Sequence, residues 1–314
     1  MRNLCRRFLS CALFLFLLCL PRAANAYSIV WITDTQLYSE SYPETFYAIA
    51  DWIVENKAAY DIRFVFHTGD LVNASRSQAQ WAVAGEAMHR LDGKLPYLTA
   101  SGNHDVGKRY AYDNYHTYVD GAREHPLTGG SFGPGMSRYA LFSADGRDYI
   151  FVSVGFGQTG PSQEEIDWIN QTLAHFENRI AVLITHSYQH TRSRLTAQGN
   201  AIHNKIVVPN PNVWLVLSGH CRNYSQRQDA IDDTGDGVPD RIVYGVMTNY
   251  QDAPKGGGGY IRLLPFNADR VYFSTYSPVL HDFDYYEKPG ADYFSIPYPG
   301  VMEPTAIDSS AKLP

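Results

Sequence analysis

Five apolar runs constrain this chain more than any other feature. SIVWIT (28–33), IRFVFHTG (62–69), LPYLTASG (95–102), IAVLIT (180–185) and VWLVLSG (213–219) are short, apolar and bounded by turn residues. Runs of this length and composition read as strands buried on both faces. Between the first three lie apolar residues at helical spacing, in PETFYAIADWIVENKAAY (43–60) and SQAQWAVAGEAMHRLD (77–92). The β-α-β-α-β alternation predicts an α/β fold, a parallel sheet with helices packed on it.

The rest of the chain extends this pattern. SRYALFS and RDYIFVSVGF flank Ala144-Asp145-Gly146, a hairpin turn. PSQEEIDWINQTLAHFEN (161–178) predicts a helix, with Pro161 near its start and Glu164 and Glu165 in its first turn. After Cys221 come hairpins: QRQDAI, a turn at DDTGDGVPD and RIVYGVMTNYQ, then YIRLLPF with RVYFSTYS. From about Pro278 the chain is rich in Tyr, Phe and Pro without a clear period, which predicts irregular surface structure. No internal repeat or low-complexity linker divides 27–314, so one domain is expected.

The first 26 residues stand apart. MRNLCRRF is basic, LSCALFLFLLCL is an apolar stretch too short to span a bilayer comfortably, and Ala24-Asn25-Ala26 is a small-x-small site. These features predict a signal peptide cleaved after Ala26, and a secreted or periplasmic protein with no transmembrane segment in its mature chain. Cys5, Cys11 and Cys19 leave with the leader, so Cys221 alone remains and no internal disulfide can form. Arg2, Arg6, Arg7 and Arg22 leave too, with no acid, taking the formal net charge from −6 to −10. So acidic a chain predicts no general nucleic-acid-binding patch. A phosphate-bearing substrate would need local positive charge, which metal ions can supply.

What ends each run carries the chemistry. SIVWIT is followed by Asp34-Thr35-Gln36, and IRFVFHTG by Asp70 with Asn73 close behind. LPYLTASG leads into Asn103-His104-Asp105, IAVLIT into His186 and VWLVLSG into His220. The carboxyl ends of parallel strands share one edge, where α/β ligand sites form. Any one of these residues reads as a cap or a satisfied core histidine; five together call for a shared ligand. Oxygen and nitrogen donors without thiolate suit Zn, Fe or Mn, one or two ions per chain. Gly69, Gly102 and Gly219 precede the ligands, where backbone must turn sharply near the ions.

D-x-[HQ], GD-x-x-N, GNHD, a lone His after a strand and a GH pair occur in this order from Asp34 to Arg222, and together they resemble the calcineurin-like metallophosphoesterase family. The resemblance implies a four-layer αββα sandwich of two mixed sheets flanked by helices, with a dinuclear centre between the sheets. It implies that Asp70 bridges two ions, that Asn103, His186 and His220 complete one position, and that Asp34 and Gln36 serve the other. Hydrolysis of a phosphate mono- or diester would follow, by attack of a metal-bound hydroxide. His104, oriented by Asp105, is the implied general acid; a structural role for His104 is the alternative.

One residue departs from the family pattern. Where a second histidine would follow the GH pair stands Arg222, which has no lone pair to give. Three arrangements are open. Arg222 and Asn73 contact the substrate phosphate; or Arg222 turns outward or pairs with a carboxylate, while Asp34, Gln36, Asp70 and water still hold an ion; or the centre is degenerate and the protein is a non-catalytic metal or phospho-ligand binder. The retained ligand set favours the first two. Cys221 or Asn223 could stand in as a ligand. Separately, Asp232, Asp236 and Asp240 resemble the start of a calcium loop, although Val243 stands at the twelfth position.

Overall fold

Residues 27–109, 111–120, 128–133 and 136–300 are described by the computed structural model. The expected leader lies outside these residues. The main elements, short helical turns such as Asn103–Val106 aside, are β1 (Tyr27–Ile32), α1 (Gln36–Ser41), α2 (Pro43–Glu55), β2 (Ile62–His67), α3 (Gln78–His89), β3 (Tyr97–Thr99), β4 (Thr128–Phe132), β5 (Ser137–Ala144), β6 (Arg147–Val154), α4 (Gln163–His175), β7 (Ile180–Thr185), α5 (Ala197–Ile202), β8 (Val213–Ser218), β9 (Asn223–Ile231), β10 (Arg241–Asn249), β11 (Ile261–Phe266), β12 (Arg270–Ser277), β13 (Asp282–Phe283) and β14 (Tyr293–Pro297).

The strands form two mixed sheets. One runs β13-β12-β11-β1-β2-β3, with β14 also on β12; the other runs β4-β5-β6-β7-β8-β10-β9. β1, β2 and β3 are parallel, as are β6, β7, β8 and β10. The five ligand-bearing strands are therefore split, three in one sheet and two in the other, rather than lying in a single parallel sheet.

Strand periodicity explains the layering. Ile29 and Trp31 face inward with Phe64, Phe66, Phe142, Phe151 and Leu217 in the core shared by both sheets. Val30 and Ile32 face outward onto Phe46, Ile49 and Ile53 of α2 and Trp81 and Met88 of α3. On the second sheet, Val152, Leu183 and Val216 face outward onto Ile166 and Ile169 of α4 and Ile202 of α5. The result is the helix–sheet–sheet–helix sandwich. Aromatic edges lock the inner layer: Phe151 meets Phe64 at 4.9 Å and Phe66 at 4.8 Å between ring centroids.

The helix starts follow their signals. Pro43 begins α2, and the hydroxyls of Ser77 and Ser162 accept from the N–H groups of Gln80 and Glu165 at the starts of α3 and α4. Several elements, α1, β4, α5, β13 and β14 among them, depart from the sequence reading. α1 is a short uncapped helix where only a strand end and ligands were expected. The Tyr/Pro-rich tail is not irregular throughout, because β14 pairs antiparallel with β12, stacking Phe294 on Phe273 at 4.6 Å. A regular partner edge, rather than local periodicity, recruits this strand. No helix among the described residues is long and apolar enough to cross a membrane.

A tetraglycine segment supports α1. Lys255, Gly256, Gly257, Gly258 and Gly259 all have positive φ. A Cβ on Gly257 would lie 2.1 Å from the Tyr38 hydroxyl oxygen, and Gly259 N–H donates to that oxygen at 3.0 Å. Gly257→Ala should therefore destabilise the fold by at least about 1–3 kcal/mol from the backbone alone, with displacement of Tyr38 adding to it. Gly146→Ala, also at positive φ but with open space around it, is the control for the backbone part. Equal melting temperatures for the two variants would contradict packing of the glycines on α1.

Candidate metal centre

The residues after β1, β2 and β8 turn sharply. Asp34, Asp70 and His220 have φ of 50°, 57° and 68°, a left-handed region that Asp and His tolerate better than most side chains. These turns bring distant segments into contact. A Cβ on Gly102 would lie 2.1 Å from Asp70 Oδ1, and one on Gly219 would lie 2.2 Å from Asp34 Oδ2. The glycine of one motif thus makes room for the carboxylate of another.

Four potential ligand atoms converge. His186 Nε2 lies 3.2 Å from Asp70 Oδ2, 3.0 Å from Asn103 Oδ1 and 3.1 Å from His220 Nδ1. Asp70, His186 and His220 are the one His/Cys/Asp/Glu group among the described residues whose ligand atoms close to within 4.8 Å. Gln36 Nε2 donates to Asp70 Oδ2 at 3.0 Å, while Gln36 Oε1 is buried without a hydrogen-bond partner. Two imidazole nitrogens face to face, beside a carboxylate, an amide oxygen and an unpartnered buried acceptor, form a donor set that fits a divalent ion.

Neighbouring groups fix these ligands. His186 Nδ1 lies 3.0 Å from the Thr68 carbonyl, so its proton sits there and Nε2 faces the centre. Thr68 also accepts from Trp31 Nε1 at 2.9 Å and donates to the Thr33 hydroxyl at 2.7 Å, which in turn donates to Asp34 Oδ2 at 2.5 Å. Asp34 further accepts from His220 N–H at 3.2 Å. Asp105 accepts from the N–H groups of Asp70, Leu71, Val72 and Gly102 at 2.7–3.1 Å.

The electrostatics are those of a crowded anionic site. Burial lowers His186, but the Asp70 and Asp34 carboxylates outweigh it and push the imidazole up to about 9. Burial pushes Asp34 up to about 7, with Asp70 adding to the rise. Burial raises Asp70, but His186 outweighs it and holds the carboxyl below its usual range. Burial, with His186 adding, lowers His220 to about 4. Asp105 is pushed up to about 8 by burial and by Asp70. Protonated, however, it could not accept from four N–H groups, so its bonding is that of a carboxylate.

Residues 27–221 match the sequence model of the calcineurin-like phosphoesterases. The chain belongs to that family. It is 41% identical over 274 residues to the uncharacterized protein YvnB of Bacillus subtilis (strain 168), a match covering 85% of this chain and 21% of that protein. The chain thus spans about one fifth of that relative's length. Its fold resembles the purple acid phosphatase PPD1 from yellow lupin (Lupinus luteus) seeds, with a TM-score of 0.56, 14% identity, and coverage of 87% of this chain and 54% of that one. It also resembles GAP50, the anchor in the inner membrane complex of Plasmodium, with a TM-score of 0.52, 11% identity and coverage of 83% and 87%. At these identities the likeness is one of fold. Members of the family bind divalent metal ions, and the Asp–His cluster is where this chain could hold them.

Several expected residues sit differently from the sequence reading. Asp105 does not orient His104, because its lone pairs are spent on four backbone donors. His104 Nδ1 instead lies 2.8 Å from the Asn73 carbonyl. The Asn73 side chain donates to Glu40 Oε1 at 2.7 Å. Arg222 is placed as in the second of the three arrangements open to it: it is 60% exposed, with Nη1 2.9 Å from Asp252 Oδ1. Cys221 Sγ lies 3.3 Å from His190 Nδ1. The aspartates proposed for calcium are spent on their own turn. Asp232 accepts from Gly235 and Gly237 N–H, Asp236 from Val238 N–H, and Asp240 from Asp233 and Thr234 N–H. They do not converge on an ion position.

Thr33, Thr68 and Asn249 are supporting residues that spacing alone did not single out. Asn249 Nδ2 donates to the His220 carbonyl at 3.3 Å, and Tyr286 Oη donates to the Asn249 carbonyl at 3.0 Å. The only signal was position: each lies within a few residues of a strand end.

A pH dependence follows. The raised His186 stabilises the metal-free chain fully below pH 6.5, and this contribution is lost as pH rises through about 9. The proton that titrates is the second one, on Nε2 facing Asp70; an ion would compete with it there, so ion binding strengthens over that window. The gap in melting temperature between metal-supplemented and chelator-treated protein should widen from pH 6.5 to about 9. A constant or narrowing gap in a thermal-shift series would contradict this placement of the proton.

Proposed function

We propose that this chain is an exported, metal-dependent phosphoesterase that hydrolyses a phosphate mono- or diester. One observation carries the reading: Asp70, Asn103, His186 and His220, from four separate motifs, bring ligand atoms together around His186 Nε2. Family membership and the phosphatase named among its structural neighbours support it.

Asp34, Gln36, Asp70, Asn103, His186 and His220 would hold the ions. When bound, such ions neutralise phosphoryl oxygens and activate water for in-line attack. The chain's own groups do the rest. His104, half-buried and with Nδ1 tied to the Asn73 carbonyl, presents Nε2 as the proton donor to the leaving alkoxide. Arg222, at the rim, contacts a phosphoryl oxygen once freed from Asp252; its planar fork suits that geometry. Asp105 positions the Asp70 loop without touching substrate. The leader directs export, and an N-terminus at Tyr27 in the recovered protein is the expected mass-spectrometric result.

A binding role is the second reading, and the placement of Arg222 outside the ligand cluster is what favours it. Hydrolysis of mono- and bis-p-nitrophenyl phosphate across added Mn, Zn, Fe and Mg decides between the two. Activity should appear with at least one ion and vanish in His186→Ala. His104→Ala should slow an alkyl phosphate by roughly 10²–10⁴-fold, and p-nitrophenyl phosphate much less, because that leaving group needs no proton. Ion binding without turnover of any ester would establish the binding role.

A further inference from the structure

The arginines of this chain divide by partner. Arg63, Arg90, Arg179, Arg227, Arg241 and Arg270 pair with carboxylates, and buried Arg262 donates to the Ala291 and Asp292 carbonyls. Arg76, Arg109, Arg192 and Arg194 are exposed, and their guanidinium groups have no hydrogen-bond or ion-pair partner among the described residues. A single exposed arginine needs no partner. The distribution of these is what calls for a cause, because each lies on a loop leading away from a residue of the metal centre. Arg76 follows Asp70 after β2, Arg109 follows Asn103 after β3, and Arg192 and Arg194 follow His186 after β7.

Named contacts hold these loops beside the centre. After β2 and β3, His104 Nδ1 lies 2.8 Å from the Asn73 carbonyl, and a Cβ on Gly107 would lie 2.5 Å from Ser75 Oγ. Arg76 and Lys108, each one residue further on, thus start from adjoining positions, and Lys108 is exposed and unpartnered too. After β7, Gln189 bridges Leu195 across a tight loop. His190 Nδ1 lies 3.3 Å from Cys221 Sγ, and Ser193 N–H donates to Ser225 Oγ at 3.0 Å. That loop therefore runs along the segment carrying His220 and Arg222. Arg192 and Ser193 hold φ of 77° and 60°, a conformation costly for side chains of their type. Glu40 and Asp252, acids on the same loops' neighbours, are already paired with Asn73 and Arg222.

We infer that these loops form an anion-binding rim, and that the substrate carries at least one further anionic group besides the phosphate that is hydrolysed. Guanidinium forks match phosphate and carboxylate oxygens. In a chain of formal net charge −6, a cationic rim also steers an anionic ligand to the edge where the metal ligands converge. The inference rests on the phosphoesterase reading above and adds the charge of the substrate beyond its reacting group.

The test compares probes that differ only in a second phosphate, on the metal-loaded full chain. Hydrolysis is measured for butyl phosphate and 1,4-butanediol bisphosphate. Calorimetric binding is measured for butylphosphonate and for alkane diphosphonates of increasing length. The second phosphate should lower KM roughly three- to tenfold with little change in kcat, since exposed ion pairs are individually weak. Raising the salt concentration should erase this advantage. Arg192→Ala with Arg194→Ala, or Arg76→Ala with Arg109→Ala, should reduce it, while turnover of butyl phosphate stays within about twofold. The monophosphate is thus the folding control, and if one pair of substitutions fails to fold the other carries the test. Equal KM for the two esters, with equal affinity for mono- and diphosphonates, would overturn the inference. So would double variants that weaken both kinds of probe alike at an unchanged melting temperature. Competition by a short thymidylate oligonucleotide assigns the source. If it displaces the diphosphonate at the lower concentration, the substrate is a phosphodiester polymer; the reverse order marks a small, multiply phosphorylated ester, and either order supports the rim. Preference for diphosphonates without hydrolysis of any ester sinks the phosphoesterase reading alone; hydrolysis without the preference sinks only the rim.

Discussion

The buried carboxylate of Asp105 holds the centre in shape. It gathers the N–H groups of Asp70, Leu71, Val72 and Gly102, joining the loop after β2 to the loop after β3. Four charge-assisted bonds on one carboxylate are strong enough to keep Asp70 in its left-handed backbone conformation. That conformation sets the Asp70 carboxylate, against which both Gln36 Nε2 and His186 Nε2 lie. His104 N–H donates to Asp70 Oδ1 at 2.9 Å, so the same tie places the proposed proton donor.

The two-sheet core performs the same task on a larger scale. Interlocked Phe64, Phe66 and Phe151 fix the separation of the layers, so β7 and β8 deliver His186 and His220 opposite the ends of β1 and β2. Thr68 then ties one sheet to the other: its hydroxyl supports Asp34 through Thr33 while its carbonyl fixes His186. The polar network sits where close packing stops.

Much of this was legible in the sequence. The apolar runs located the strands, and the residues ending them located the ligands, because a buried parallel strand leaves little choice about where its next side chain must lie. Motif order identified the family before any geometry was known. What could not be read was set by partners remote in sequence. α1 has neither a cap nor a strong period and leans on glycines more than 200 residues later. β14 has no strong pattern and forms because β12 offers it an edge. Asp105 looked like a partner for His104 because it adjoins it; three donors in the distant loop after β2, together with the nearby Gly102 N–H, claimed it instead. The calcium-like spacing of Asp232, Asp236 and Asp240 reflected a tight turn binding its own backbone.

The separation of the ligands along the chain has a consequence for assembly. The bond between His220 and Asp34 joins residues 186 apart, and that between His186 and Thr68 joins residues 118 apart. Contacts of this span form late, after the cost of closing long loops has been met. An ion encountering the chain during synthesis therefore finds its ligands scattered, with no local cluster to nucleate folding. It can enter with its full ligand set only once both sheets have docked, so it acts as a clasp on a finished fold rather than as a template for it.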